Sequence, residues 1–274
     1  VDRTADGTEN DKRMNYRLSR IAAICGGKFS GCDSEVRSVV TDSRSLSCEL
    51  GCRPMFVAMR GANHDSHDFI AGMQSRGVRA FLVERGVEAS SCTGECGFVQ
   101  VDNAIEALQR LAAYHRAQFR GTVVGKTVIK EWIAEELPEG MKYYRSPKSY
   151  NSQLGVPLSV LMLEGDEELA IFEAGISKPG EMERLERIIR PDAVIFTSIG
   201  DAHQENFINL EQKCDEKMIL ARSASKIIYH SYYEPLGRMV AAHFADRRPV
   251  DAAAYPEVPE SVIGNAASRR NAQI

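Results

Sequence analysis

The chain has 274 residues, 43% of them hydrophobic, and a formal net charge of −4. That length and apolar content support two domains with a core each, while the mild acidity provides no basic stripe of the kind that nucleic-acid binding calls for. No apolar run reaches the roughly 18 residues of a membrane span, and the polar opening VDRTADGTENDKR is unlike a signal peptide. A soluble, cytoplasmic protein without membrane insertion is therefore expected.

Residues before Met14 read as an extension outside the fold. The seven cysteines include Cys48/Cys52 and Cys92/Cys96, but neither pair has the C-x2-C spacing usual for zinc, so free thiols are expected. Ala104 to Phe119, AIEALQRLAAYHRAQF, puts Ile105, Leu108, Leu111 and Ala112 on one face. Asn103 at the N-cap and Glu106 three residues on resemble a capping box. The spacing predicts a helix that closes a first domain, 14–120. A strand at Thr122–Val124 then opens a second, 121–274.

At Gly125-Lys126-Thr127 the chain shows the tail of a phosphate-binding loop without the loop. Such a loop needs glycines between strand and helix, so that backbone N–H groups wrap the phosphates while Lys reaches the γ-phosphate and Ser/Thr binds Mg²⁺. Here Val123-Val124 runs almost straight into Lys126.

Leu169–Phe172 is a short apolar run, Met182, Leu185, Ile188 and Ile189 recur at helical spacing, and Ala193–Ile199 is a second β-rich run. The pattern predicts strand, crossover helix, strand, with the two strands parallel. Glu173 and the Gly200-Asp201-Ala202-His203 turn both follow strand C-termini, where open α/β sheets bind ligands. The bland alternatives are a surface carboxylate for Glu173 and a polar turn residue for His203. Between Asn209 and Leu220 a helix sets Leu210, Cys214, Met218 and Ala221 on one stripe, with Lys217 at its margin and Lys213 pointing further away. A lysine so placed also snorkels readily to solvent. Ala245 to Pro259 reads as irregular connection.

The phrase E-A-G-x-x-x-x-G-E-M, followed by RPDAVIFTSIGDAH, is similar to the central ATPase domain of the Mur ligases, which build the peptide of bacterial cell-wall precursors. Within that family it most resembles the MurF-type branch, which adds D-alanyl-D-alanine to UDP-N-acetylmuramoyl-tripeptide. VVTDSRSL, PMFVAMRGANHDSHDFI and RGVRAFLVE resemble the family's N-terminal domain, and YRSPKSYNSQLGVPLSVL its substrate-contacting segment. The likeness runs from Tyr16 to Lys217 and is weaker beyond.

The resemblance implies an α/β fold, with a small N-terminal UDP-binding domain ahead of a central P-loop-type ATPase domain whose sheet is mostly parallel. It implies an ATP-dependent amide ligase that phosphorylates the tripeptide's terminal carboxylate and lets the amine of D-alanyl-D-alanine attack the acyl phosphate. Carried over residue by residue, Gly125, Lys126 and Thr127 would hold the nucleotide phosphates, with Asn271 on the adenine side. Thr127 and Glu173 would bind one Mg²⁺ ion, and His203 and a carbamylated Lys217 a second. Ser43 and Arg44, with Arg60, would take the uridine nucleotide, and Asn151 and Ser152 the peptide substrate. Without the resemblance, the first of these groups reads equally well as a polar turn.

The chain departs from the family in several places. Mur ligases carry a longer glycine-rich stretch before the lysine, and the expectation is a loop lost from the record of the chain rather than a deletion. Asp65-Ser66-His67 stands where relatives have D-G-H, Ser198 where Asn is usual, and Ala267 where His is usual. The third Mur domain is missing, so a fragment inactive alone is expected. Some members of the branch are fused to alanine racemase, which the chain leaves open. Two other functions also stay open: a MurE-type amino-acid ligase, and a UDP-sugar-binding module without catalysis, which the short loop supports.

Overall fold

The structure, a computed structural model, describes residues 14–45, 53–61, 65–84, 95–126, 137–147, 150–197, 199, 203–232 and 234–254. They fall into two compact units, Val1–Ala104 with Met162–Asp166, and Ile105–Leu161 with Glu167–Ile274. Among the described residues, no helix is long and apolar enough to cross a membrane.

The first unit runs β1 (Tyr16–Arg17), α1 (Leu18–Cys25), β2 (Lys28–Gly31), β3 (Glu35–Val36), β4 (Ser38–Val40), β5 (Pro54–Val57), α2 (Ile70–Ser75), β6 (Ala80–Glu84) and β7 (Gly97–Val101). Helix α1 stops at Gly26, whose left-handed φ of 69° suits a residue without a Cβ and closes the last turn. Five strands form a sheet in the order β2-β7-β6-β5-β4. Only the β2–β7 pair is antiparallel. Its core gathers Phe56, Ile70, Met73, Phe81 and Phe98, with Phe81 and Phe98 stacked at 5.2 Å between ring centroids.

The second unit contains α3 (Ala104–Arg116) from Ile105 onward, then β8 (Thr122–Lys126), β9 (Tyr143–Arg145), α4 (Gly155–Val160), β10 (Leu169–Glu173), α5 (Glu181–Ile189), β11 (Ala193–Phe196), α6 (Leu210–Met218), β12 (Lys226–Tyr229), α7 (Glu234–Phe244) and β13 (Val250–Asp251). Helix α3 was expected to close the first domain. Its side chains bind the second instead: Gln109 donates to Gln153, and Arg116 donates to the carbonyls of Ile189 and Arg190. The division accordingly falls at Ala104–Ile105, ahead of residue 120.

Six strands line up as β13-β12-β11-β8-β10-β9, and every pair is parallel. Val123, Ala170, Ile171, Phe172 and Val194 are fully buried. Such near-continuous apolar runs are what a parallel sheet covered on both faces requires. The strand–helix–strand expected from Leu169 onward is present as β10, α5 and β11. Strand β8 lies between β10 and β11, so the crossover skips one strand. Asp192, just before β11, accepts a hydrogen bond from Val123 N at 2.8 Å and so anchors the start of β8.

Three expectations change. Strand β11 ends at Phe196 rather than Ile199. Val250–Asp251, expected as irregular connection, pairs with β12 as the sixth strand. Lys213, expected to point away from the helix's apolar stripe, is buried, with its ammonium 5.8 Å from the centroid of the Phe207 ring. The aromatic face gives a charge a favourable place that hydrophobic periodicity does not register. The start of α6 is as expected, with Asn209 Oδ1 accepting from Gln212 N at 2.8 Å.

Candidate functional site

The C-terminal ends of β8, β9 and β10 converge on Glu173. Register pairs Glu173 with Lys126 across the parallel β8–β10 ladder, so both side chains leave the sheet on the same face, with their backbones about 4.8 Å apart. Lys126 is fully buried, the Glu173 side chain is 20% exposed, and Lys126 Nζ lies 3.4 Å from Glu173 Oε2. Asn151 Nδ2 donates to the other carboxylate oxygen at 3.1 Å. The Glu173 backbone N–H donates to Ser146 Oγ at 3.3 Å, and Ala174 N donates to Lys126 O at 3.1 Å.

Val124, Gly125 and Lys126 all belong to β8. Gly125 is closely packed: a Cβ there would lie 3.3 Å from side-chain carbons of Leu220 and Pro191, tighter than most such contacts. Lys126 points toward Glu173. Thr127, like Asn271, lies outside the described residues.

Asn151 was expected to touch the peptide substrate, and the structure gives its amide to Glu173. Ser152 Oγ accepts from Gly155 N at 3.1 Å and caps the start of α4. The family resemblance implied separate tasks for Asn151 and Glu173, which lie 22 residues apart. Only the fold shows that the segment after β9 returns to the end of β10. Behind the carboxylate, Tyr144 packs against Phe172 with ring centroids 5.7 Å apart, and its hydroxyl lies 2.9 Å from Ser159 Oγ.

Burial pushes the Tyr144 phenol up to about 12, an effect the Ser159 bond partly offsets. Because this folded value exceeds the unfolded one of about 10, Tyr144 contributes stability that is complete below pH ~10 and is lost as pH rises toward ~12. Tyr144→Phe should remove that dependence. Denaturant titrations of both proteins are expected to show the parent's advantage shrinking across that interval, and a constant difference would contradict the assignment.

His203 and Lys217 lie apart from the contacts that tie Lys126, Asn151 and Glu173 together. His203 has a left-handed backbone, φ 61°, and a side chain 55% exposed, with Nδ1 4.0 Å from Glu205. Lys217 is half-buried on α6, and burial, followed by the nearby charge of Lys213, holds its pKa below the usual lysine value. Among the described residues, no group of three or more His, Cys, Asp or Glu side chains could hold a metal ion.

In the first unit, Arg44 folds back onto Asp42. Its Nε and Nη2 donate to the two carboxylate oxygens at 3.0 and 2.8 Å, and the guanidinium holds the exposed Asp42 carboxyl down at about 2. The carbonyl of Ser43 accepts from Arg76. Ser43 and Arg44 thus form a self-paired polar turn, in which a diphosphate would compete with Asp42 for the guanidinium. Arg60 Nε likewise lies 3.3 Å from Asp65. His67, to which the sequence assigns no role, bonds Asp65 through Nδ1. Its Nε2 accepts from Glu84 N at 3.1 Å, so Nδ1 carries the proton and the ring ties the end of β6 to the 65–67 turn.

A small α/β unit followed by an all-parallel sheet, with its polar cluster at the strand ends, is the architecture in which family likeness now has a place to sit. Residues 121–245 match the Mur ligase middle domain. The chain's likeness is to one branch: it is 32% identical over 206 residues to the UDP-N-acetylmuramoyl-tripeptide–D-alanyl-D-alanine ligase of Borreliella burgdorferi, covering 69% of this chain and 44% of that protein. The match reaches beyond the middle domain, yet the chain spans less than half the length of that relative. Among solved structures, MurF from Acinetobacter baumannii superposes with a TM-score of 0.72 at 22% identity, over 86% of this chain and 52% of that one. MurF ligase from Thermotoga maritima, in complex with ADP, gives 0.62 at 24% identity over 79% and 49%. At these identities the structures speak to the fold.

Proposed function

We propose that the protein to which this chain belongs is an ATP-dependent amide ligase, joining D-alanyl-D-alanine to UDP-N-acetylmuramoyl-tripeptide in peptidoglycan precursor synthesis. The observation that carries this reading is the extent of the match to a ligase so named, which takes in more of the chain than the middle domain alone. The ADP bound to the Thermotoga maritima relative supports a nucleotide site, and open parallel sheets bind such ligands outside their strand C-termini. In the reaction, ATP transfers its γ-phosphoryl to the tripeptide's terminal carboxylate, giving an acyl phosphate and ADP. The dipeptide amine then attacks the carbonyl, an amide forms, and phosphate and a proton leave.

Glu173 is a residue that would hold Mg²⁺ at the strand edge: each carboxylate oxygen accepts a donor, from Lys126 or Asn151, and keeps lone pairs for a hard cation, which would offset charge on the transferring phosphoryl group. What these residues do is hold Glu173 rigidly at the strand edge and keep Lys126 out of water.

The strand that runs straight into Lys126 without a glycine-rich loop favours a second reading, a UDP-sugar-binding module that does not turn over ATP. The full-length protein with UDP-muramoyl-tripeptide, ATP and D-alanyl-D-alanine separates the two. Phosphate release that needs all three components supports the ligase, and precursor binding without phosphate release supports the module. Release with a single amino acid on the dipeptide precursor would move the protein to the MurE-type branch.

Lys217 enters the proposal as a carbamylation site. Its lowered pKa favours the neutral amine, which adds CO₂ to give an anionic carbamate and a proton. With ¹³C-bicarbonate, a carbamate resonance is expected that Lys217→Ala removes and Lys213→Ala retains. Its absence from the parent protein would sink the assignment. His203 and the carbamate would be the residues available to a second cation.

A further inference from the structure

We infer that the first unit carries an anion site of its own, a cavity at the N-terminal ends of its strands that takes a phosphoryl group between Arg53 and Arg79. The cavity has a volume of about 350 Å³, with Ser34, Glu35, Arg53, Gly77 and Arg79 in its walls. No step of the ligation runs through it, so this inference and the ligase proposal can fail separately.

Strands β4, β5 and β6 are parallel, which gives their sheet two distinct edges. Ser43, Arg44 and Arg60, to which the family resemblance assigns the uridine nucleotide, follow the C-terminal ends of β4 and β5. Arg53 and Arg79 instead immediately precede β5 and β6. The length of β5 separates the two edges by about 13 Å, so the cavity is no part of the polar turn around Arg44. Register pairs Met55 with Ala80, and the two arginines therefore reach the cavity from neighbouring strands about 4.8 Å apart.

The charge balance there is positive. Oε2 of Glu35 pairs with Arg53 Nη1 and stands 3.8 Å from Arg37 Nη2, so one carboxylate answers two guanidinium groups. Arg79 directs Nη1 to the carbonyls of Gln74 and Val78, at 2.9 and 3.0 Å, which fixes its planar fork at the wall. The carboxylate it meets among the described residues is that of Glu95, 3.9 Å from Nε on a side chain 87% exposed, a contact that water screens. Ser34 adds a buried hydroxyl with no hydrogen-bond partner among the described residues, a group that a bound polar guest satisfies.

The backbone is shaped to match. Arg53 is left-handed, φ 35°, a conformation costly for a residue with a side chain and found at ligand clamps. Its carbonyl accepts from Arg37 N at 3.0 Å. Gly77, at φ 93°, keeps part of the wall open, since a Cβ there would meet nothing within 4 Å. A planar carboxylate is satisfied by one arginine fork, whereas the tetrahedral oxygens of a phosphoryl group meet two forks and a hydroxyl together.

Inorganic phosphate is the probe. It is titrated into the full-length protein labelled with ¹⁵N-arginine, with the side-chain signals of Arg53 and Arg79 assigned by their loss from Arg53→Gln and Arg79→Gln. Both signals are expected to move together and to saturate with phosphate, and to stay in place with chloride at matched ionic strength. Each arginine substitution should weaken the response of the other arginine about tenfold. Glu35→Gln, which removes the internal competitor for Arg53, should tighten it several-fold, a gain that misfolding does not produce. Movement that chloride reproduces, or a midpoint unmoved in all three variants, would overturn the inference. The chloride comparison uses the unaltered protein and so stands even if a variant fails to fold.

Discussion

Glu173→Gln is expected to destabilise the second unit by about 3–5 kcal/mol, because it removes a carboxylate 3.4 Å from the fully buried Lys126 ammonium. Lys126→Met should cost less, about 1–3 kcal/mol, since the carboxylate keeps its bond from Asn151 and part of its contact with water. The double variant should recover much of the first loss, as a methionine beside a glutamine carries no unpaired charge. Urea denaturation of the four proteins gives the coupling energy directly. Additive losses would mean that Lys126 and Glu173 do not act as a pair.

The second large effect is expected at Phe172. This residue is fully buried in β10, directly ahead of Glu173, and its ring packs against Tyr144. Phe172→Ala should cost about 3–5 kcal/mol through lost transfer energy and the cavity left behind. Because β10 is paired on both sides, by β8 and β9, collapse into that cavity is restricted and the upper part of the range is expected. A loss under about 1 kcal/mol would show that the sheet relaxes around the site. Phe172→Leu, which conserves more volume, should recover most of the loss. If Glu173 is held in position by packing beneath it, metal-independent readouts such as the Glu173 amide shift should move with Phe172→Ala even where the unit stays folded.

Much of the second unit was legible because apolar periodicity and strand-end placement are local properties. LAIF before Glu173 and AVIF after Asp192 are runs that only a two-sided buried sheet explains, and the helical spacing of Met182, Leu185, Ile188 and Ile189 has no competing reading. The branch of the family was legible in the phrase running from Glu173 to Met182. Partners set by long-range register were not legible. Nothing in the local pattern says that Lys126 will meet Glu173, because strand β8 lies between β10 and β11 rather than beside a neighbour in sequence. That the chain runs almost straight into Lys126 was legible, and backbone pairing with β10 extends the strand through that lysine. The burial of Lys213 escaped for a similar reason: its companion is the ring of Phe207, outside the helix whose stripe was being counted. The pairing of Arg44 was not singled out either, although its partner Asp42 lies only two residues away.

The position of β8 also bears on how the unit is made. It is the first strand of its sheet to leave the ribosome, yet both of its neighbours, β10 and β11, are synthesised later. Until β10 is made the strand destined for the middle of the sheet has two open edges, and until Phe196 has emerged it keeps one. Long-range parallel pairing of this kind is slow and exposes nascent chains to association. The vulnerable interval in the life of this protein therefore lies during translation, between the synthesis of Thr122 and that of Phe196, and holdase chaperones would find their substrate there.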